Sequence, residues 1–139
     1  MEECIFCKIV NNEIPVYKIY EDDSVFAFLD IRPISKGHTL VIPKKHAKDI
    51  FELDEETLKK ISSASKKIAQ KMKDNLGADG VNLFNSSGVF AEQTVFHFHL
   101  HVIPRRKDDN ICFTRAVTAK EGISQEEMKE TAGKLKIGE

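Results

Sequence analysis

The sequence predicts an α+β domain. Three observations carry this expectation. Apolar residues and histidines alternate strictly over 95–104, a stretch at 54–76 places apolar residues at helical spacing, and four shorter runs rich in strand formers are separated by turn residues. An antiparallel sheet of about five strands, with the long helix on one face, accommodates all three.

The elements follow in order. Cys4-Ile5-Phe6-Cys7 opens the domain, and 8–15 reads as a short turn. Residues 16–20 read as a strand, 21–24 as a turn, and the apolar run 25–29 as a buried strand. Gly37-His38 precedes a strand at 39–42 that Pro43 closes. The helix is capped by Asp54, has Glu55 and Glu56 at its positive end, and stops at Gly77. Leu58, Ile61, Ala64, Ile68, Met72 and Leu76 form its apolar stripe, and Leu53 with Leu58 would form a staple. Residues 81–85 read as the next strand and 86–92 as a loop into the histidine strand, which Pro104 ends. Ser124-Gln125-Glu126-Glu127 is a capping box for a final helix with Met128, Ala132 and Leu135 on one face.

A chain of 139 residues fits one domain, expected over 1–139 with its core at about 4–106 and an extension carrying the short helix at 107–139. With 21 basic and 22 acidic residues the net charge is −1, so no general electrostatic grip on nucleic acid is expected, and the lysines of the long helix read as a solvated face. No apolar run is long enough for a membrane span, and the acidic start Met1-Glu2-Glu3 is unlike a signal peptide; a cytoplasmic protein is expected. Three cysteines, two of them in Cys-x-x-Cys, then favour metal or redox chemistry over structural disulfides, and lone Cys112 is expected as a buried thiol.

Val95, His97, His99, His101 and Ile103 share one face of the predicted strand, with Phe96, Phe98, Leu100 and Val102 on the other. Same-face neighbours stand about 6.6 Å apart, so His97 and His101 would be about 13 Å apart. With metal–nitrogen bonds of about 2 Å, two adjacent imidazoles can share an ion but three hardly can. Such a row implies divided labour. A redox dithiol would open a helix, whereas a turn after Cys7 suits zinc, which needs two further ligands from His38, His46, His97, His99 and His101.

His97-Phe98-His99-Leu100-His101-Val102-Ile103 resembles the signature of the histidine triad (HIT) family. Gln93-Thr94-Val95, Pro104-Arg105, Cys4-Ile5-Phe6-Cys7-Lys8-Ile9, Asp30-Ile31-Arg32-Pro33 and the run from Gly37 to Lys44 are similar to its bacterial, Hint-like branch, in the same order over about 4–106. The resemblance implies a HIT-like strand order and a two-fold homodimer. It implies a structural zinc on Cys4, Cys7, His46 and His97, with no metal required for the chemical step. It also implies hydrolysis or transfer on a nucleoside 5′-phosphoramidate or related nucleotide, with a purine base. His99 would attack phosphorus and form a nucleotidyl-histidine, while His101, Thr94 and Gln93 hold phosphate oxygens or the leaving group. Asp30 would bind the ribose hydroxyls and Ile31 pack on the base, and Asn85 and Ser86 would lie near the phosphate. The chain departs from the family pattern at Ser86, where Asn is usual, and at Glu92, where Gly is common. Dinucleoside polyphosphate hydrolysis, a nucleotide-binding regulatory module, and a metallohydrolase using His97 and His99 are the alternatives.

Overall fold

The computed structural model describes residues 3–113 and 122–138; the acidic start at Met1 and Glu2 lies outside them. The chain divides into two compact units, Met1–Asp109 and Asn110–Glu139. In the second, helix α3 (Gln125–Leu135) is opened by a reciprocal capping box: the Glu127 N–H donates to the Ser124 hydroxyl, and the Ser124 N–H donates to the Glu127 carboxylate. Cys112 also belongs to this unit and is exposed, contrary to the expected burial. No helix of the described residues is long and apolar enough to cross a membrane.

The first unit is an antiparallel five-stranded sheet in the order β1-β2-β3-β5-β4, formed by β1 (Lys18–Glu21), β2 (Val25–Leu29), β3 (Thr39–Pro43), β4 (Gly80–Phe84) and β5 (Leu100–Arg105). The Asp22 carboxylate accepts the N–H groups of Ser24 and Val25, which tightens the β1–β2 turn. Helix α2 (Glu55–Leu76) starts at the Asp54 cap and ends where Gly77 adopts φ +65 and donates its N–H to the Met72 carbonyl. It buries Ile61, Ala64, Ile68 and Met72 against Val25, Ala27, Val41, Phe98 and Val102. Each fully buried large apolar side chain contributes about 1.5–3 kcal/mol, so this face fixes the helix on the sheet.

Alternation in β2 and β3 sends Phe26, Phe28, Leu40 and Ile42 to the opposite face, where helix α1 (Ile5–Val10) packs with Phe6 and Ile9. The strand register sets one row across that face: Phe28 opposite Leu40, Leu40 opposite His101, and His101 opposite Phe84.

Two expectations need correction. Helix α1 begins between the cysteines, with the Cys4 thiol accepting the Cys7 N–H as an N-cap, so 8–15 is not simply a turn and the Cys-x-x-Cys pair does open a helix, as a redox dithiol would. Second, the histidine segment is a strand only from Leu100. Beyond Val41, the partner of Leu100, β3 continues only to Pro43, so 95–99 has no ladder partner and is held instead by Phe98 N–H donating to the Ala47 carbonyl. Alternation survives for Phe98, Leu100 and Val102 on the α2 face, whereas Phe96 is partly exposed. Pro104 does not end β5. Its carbonyl accepts from the Ser35 hydroxyl on the side where β3 pairing has already stopped at Val102, so its missing N–H costs no ladder bond.

Gly37 sits at φ +103, and a β-carbon there would lie 2.8 Å from Leu76 Cδ1 and 3.1 Å from Pro104 Cγ. Gly37→Ala is expected to cost about 1–3 kcal/mol in urea unfolding. Gly80→Ala, whose β-carbon meets nothing within 4 Å, should shift the midpoint much less.

Candidate functional site

Four side chains from three places in the chain converge beside α1. Cys4 Sγ lies 3.4 Å from His97 Nδ1, Cys7 Sγ lies 3.4 Å from His46 Nδ1 and 3.6 Å from His97 Nδ1, and the two Nδ1 atoms are 3.2 Å apart. A tetrahedral zinc ion with bonds of about 2.3 Å to sulfur and about 2.0 Å to nitrogen requires edges of about 3.5 Å between S and N and about 3.3 Å between nitrogens. The donors therefore fit zinc in both type and spacing. His97 is 0% exposed, and its Nε2–H donates to the Pro43 carbonyl at 2.8 Å, which leaves Nδ1 as a lone pair facing the other three donors. Burial pushes His97 down to about 4 and, with the Cys4 thiol, pushes the Cys7 thiol up to about 11. A divalent ion would reverse the Cys7 shift by stabilising its thiolate.

Next to it lies the rest of the histidine row. His99 is 6% exposed, and its Nδ1 lies 2.8 Å from the His97 carbonyl, so a neutral ring carries its proton on Nδ1 and a lone pair on Nε2. That Nε2 has no hydrogen-bond partner among the described residues and is not sealed from solvent. A second tautomer chain orients His101. Ile34 N–H donates to His38 Nδ1 at 3.0 Å, so His38 carries its proton on Nε2 and donates it to His101 Nδ1 at 2.9 Å. His101 is thereby left with a donor at Nε2. Phe84 stacks on His101 with centroids 4.2 Å apart and planes at 13°. Burial depresses His38, His99 and His101, the last to about 3, so the whole row is neutral near pH 7.

Asp30, His38 and His101 also offer three donor atoms within 4.8 Å of one another. A second metal does not suit them. His38 Nδ1 is committed to accepting the Ile34 N–H, so Nε2 must hold the proton and has no lone pair for an ion.

A cleft of about 540 Å³ opens over these rings, on the face of the sheet away from α2. Its apolar end is lined by residues including Phe6, Ile9, Ile14, Val16, Phe28 and Leu40, and its polar side by Asp30, Thr94, His99 and His101, with Ile31 at the exposed edge. Asp30 Oδ1 accepts the Arg32 N–H, and Oδ2 lies 3.6 Å from His38 Nε2.

Asn85, Ser86 and Gln93 do not line the cleft. The Asn85 amide donates to the His99 carbonyl and accepts from the Ser87 hydroxyl. Gln93 is spent within its loop: its Oε1 accepts the Gly88 N–H, and its Nε2 donates to the carbonyls of Lys48 and Val95. In this structure both amides shape the site from behind, because the irregular segment before β5 leaves backbone groups that need partners. Glu92 adopts φ +69, the left-handed conformation that a glycine would take without strain. Arg105 forms a two-pronged ion pair with Asp109 and reaches Asn82, and Arg106 reaches the Leu76 carbonyl at the end of α2.

Sequence reasoning did not single out Phe6 or Phe84 within the site. The alternation in β4 was the available signal for Phe84, since it puts that ring beside the strand of His101.

Residues 11–108 match the family described as HIT domain. A zinc-bound histidine triad family protein from Mycobacterium smegmatis superposes with a TM-score of 0.78 at 44% identity, covering 81% of each chain. A HIT family hydrolase from Legionella pneumophila does so with a TM-score of 0.68 at 38% identity, over 76% of this chain and 95% of that one. A hypothetical histidine triad nucleotide-binding protein from Sulfolobus tokodaii gives 0.73 at 38% identity, over 91% and 85%.

Depressed histidines have a consequence for stability. Between their folded values and the ordinary 6.5, the unfolded chain binds protons that the folded chain refuses, so stability is complete above pH 6.5 and is lost as pH falls toward 3. Urea midpoints measured from pH 7 to pH 4 should fall, and His101→Asn should remove part of that slope.

Proposed function

The chain belongs to the histidine triad family, and from that premise we propose that it hydrolyses nucleoside 5′-phosphoramidates, with a purine nucleotide as the class of substrate and His99 as the nucleophile. One observation carries the reading: His99 holds its proton at Nδ1 against the His97 carbonyl and turns an unpartnered Nε2 lone pair to an open cleft. The names of the Legionella hydrolase and the Sulfolobus nucleotide-binding protein support the same class of chemistry.

In this reading the base lies in the apolar end of the cleft and the ribose hydroxyls donate to the Asp30 carboxylate. His99 Nε2 attacks the α-phosphorus, the phosphorus–nitrogen bond to the leaving group breaks, and the departing amine takes a proton from water. The new phosphoimidazole carries positive charge, which the His97 carbonyl and the Asp30 carboxylate stabilise. The Nε2–H of His101 and the Thr94 hydroxyl hold phosphoryl oxygens. Asn85 and Gln93 act by keeping the backbone around His99 and Thr94 in place. Water then cleaves the bond between phosphorus and Nε2, releases the nucleoside monophosphate and a proton, and restores neutral His99.

Zinc on Cys4, Cys7, His46 and His97 would cross-link α1 to the histidine segment, supplying structure rather than a bound nucleophile. The same resemblance predicts a two-fold homodimer, which sedimentation would register as twice the chain mass.

His99→Ala should lower turnover of adenosine 5′-phosphoramidate by a factor on the order of 10³ or more while the chain still folds and still binds nucleoside monophosphate. A kcat/KM higher for diadenosine polyphosphate than for the phosphoramidate would instead favour the neighbouring activity. Cys4→Ser should abolish stoichiometric zinc and lower unfolding free energy by about 3 kcal/mol or more, read by calorimetry and metal analysis.

A further inference from the structure

Phe6 stands between the two cysteines on the first turn of α1 and is 7% exposed. Its ring meets three others edge-on: His97 at 5.8 Å and 73°, His99 at 5.1 Å and 90°, and Phe28 at 5.5 Å and 76°. It also lines the cleft. A helix of six residues has no stability of its own, so α1 must be held by what it touches. At its start those contacts are the thiols of Cys4 and Cys7 in the four-donor cluster; along its length they are the apolar contacts of Phe6 and Ile9.

His99 needs such a neighbour. The hydrogen bond from Nδ1 to the His97 carbonyl selects one orientation, but a flip about the ring axis would carry Nδ1 away from that carbonyl and break it. His101 packs against the His99 ring at 5.0 Å and 61°, and Phe6 meets it edge-on. The carbonyl itself belongs to His97, a member of the metal cluster.

We propose that Phe6 is a positioning residue for His99, and that Phe6 takes its own place from the Cys4–Cys7–His46–His97 centre, so that loading the centre with zinc sets the orientation of the nucleophile. The proposal rests on the reading of His99 as nucleophile for its kinetic part only. The geometric part stands independently, since the ring contacts and the hydrogen bond exist without substrate.

The test uses the full-length zinc-loaded chain and two readouts. The His99 Nδ1–H proton is observed by NMR, assigned by its absence in His99→Gln, and steady-state kinetics are measured on adenosine 5′-phosphoramidate. Phe6→Leu, which keeps bulk and removes the ring edge, should retain one zinc per chain, weaken or abolish that resonance, and lower kcat at least ten-fold, whatever KM change the altered cleft wall brings. Wild type stripped of zinc by a chelator should lose the same resonance while its circular dichroism remains that of a folded chain. Ile9→Ala, which removes another wall of the cleft on the same helix, should raise KM and keep the resonance. Persistence of the resonance in either Phe6→Leu or the stripped protein would overturn the proposal, as would a Phe6→Leu effect confined to KM. Should Phe6→Leu not fold, the stripped wild type decides alone, and should the wild type not turn over the phosphoramidate, the resonance decides without the kinetics.

Discussion

Everything at this site depends on how His97 is satisfied. It is wholly buried, and a buried imidazole must find partners for both nitrogens or cost several kcal/mol. Nε2–H goes to the Pro43 carbonyl and Nδ1 to the cluster with Cys4, Cys7 and His46. Once the ring is committed on both sides, the backbone carbonyl of the same residue is held in place, and that carbonyl is what selects the tautomer of His99. One residue thus joins the four-donor cluster to the proposed nucleophile through two different parts of itself.

The surrounding electrostatics suit that arrangement. Two thiolates balance the charge of a divalent ion, so a loaded centre adds little net charge beside His99. Burial keeps the histidine row neutral, and a neutral imidazole is the nucleophilic form. The relay from Ile34 N–H through His38 to His101 gives His101 a donor where His99 has a lone pair. Adjacent histidines on one segment therefore present opposite hydrogen-bonding characters to one cleft, without either being charged.

Much of the fold could be read from the residues. Helix α2 was legible because its stripe, its Asp54 cap and its Gly77 stop agree. Strands β2 and β3 were legible because they are buried on both faces and read as unbroken apolar runs. Helix α1 was missed, because six residues starting at a cysteine cap carry no periodicity long enough to see. The strand at 95–99 was overcalled for the opposite reason. Its alternation reflects two differently filled sides, but a strand also needs a partner, and β3 runs out at Pro43. The resemblance, not the pattern, separated His46 from His38 as a metal candidate; the reason lies in three dimensions, where the Ile34 N–H occupies one nitrogen of His38. Asn85 and Gln93 entered as substrate-site residues from the resemblance alone; which backbone groups their amides satisfy follows from the irregular segment around them and is not written in the sequence.

In the proposed reaction Nε2 of His99 is the atom that meets phosphorus. Acid-quenched mass spectrometry of the full chain during turnover of adenosine 5′-phosphoramidate tests it most directly. An adenylyl adduct is expected on the peptide containing His99, mapped to that ring. Turnover without any adduct, or an adduct on His97 or His101 instead, would contradict it.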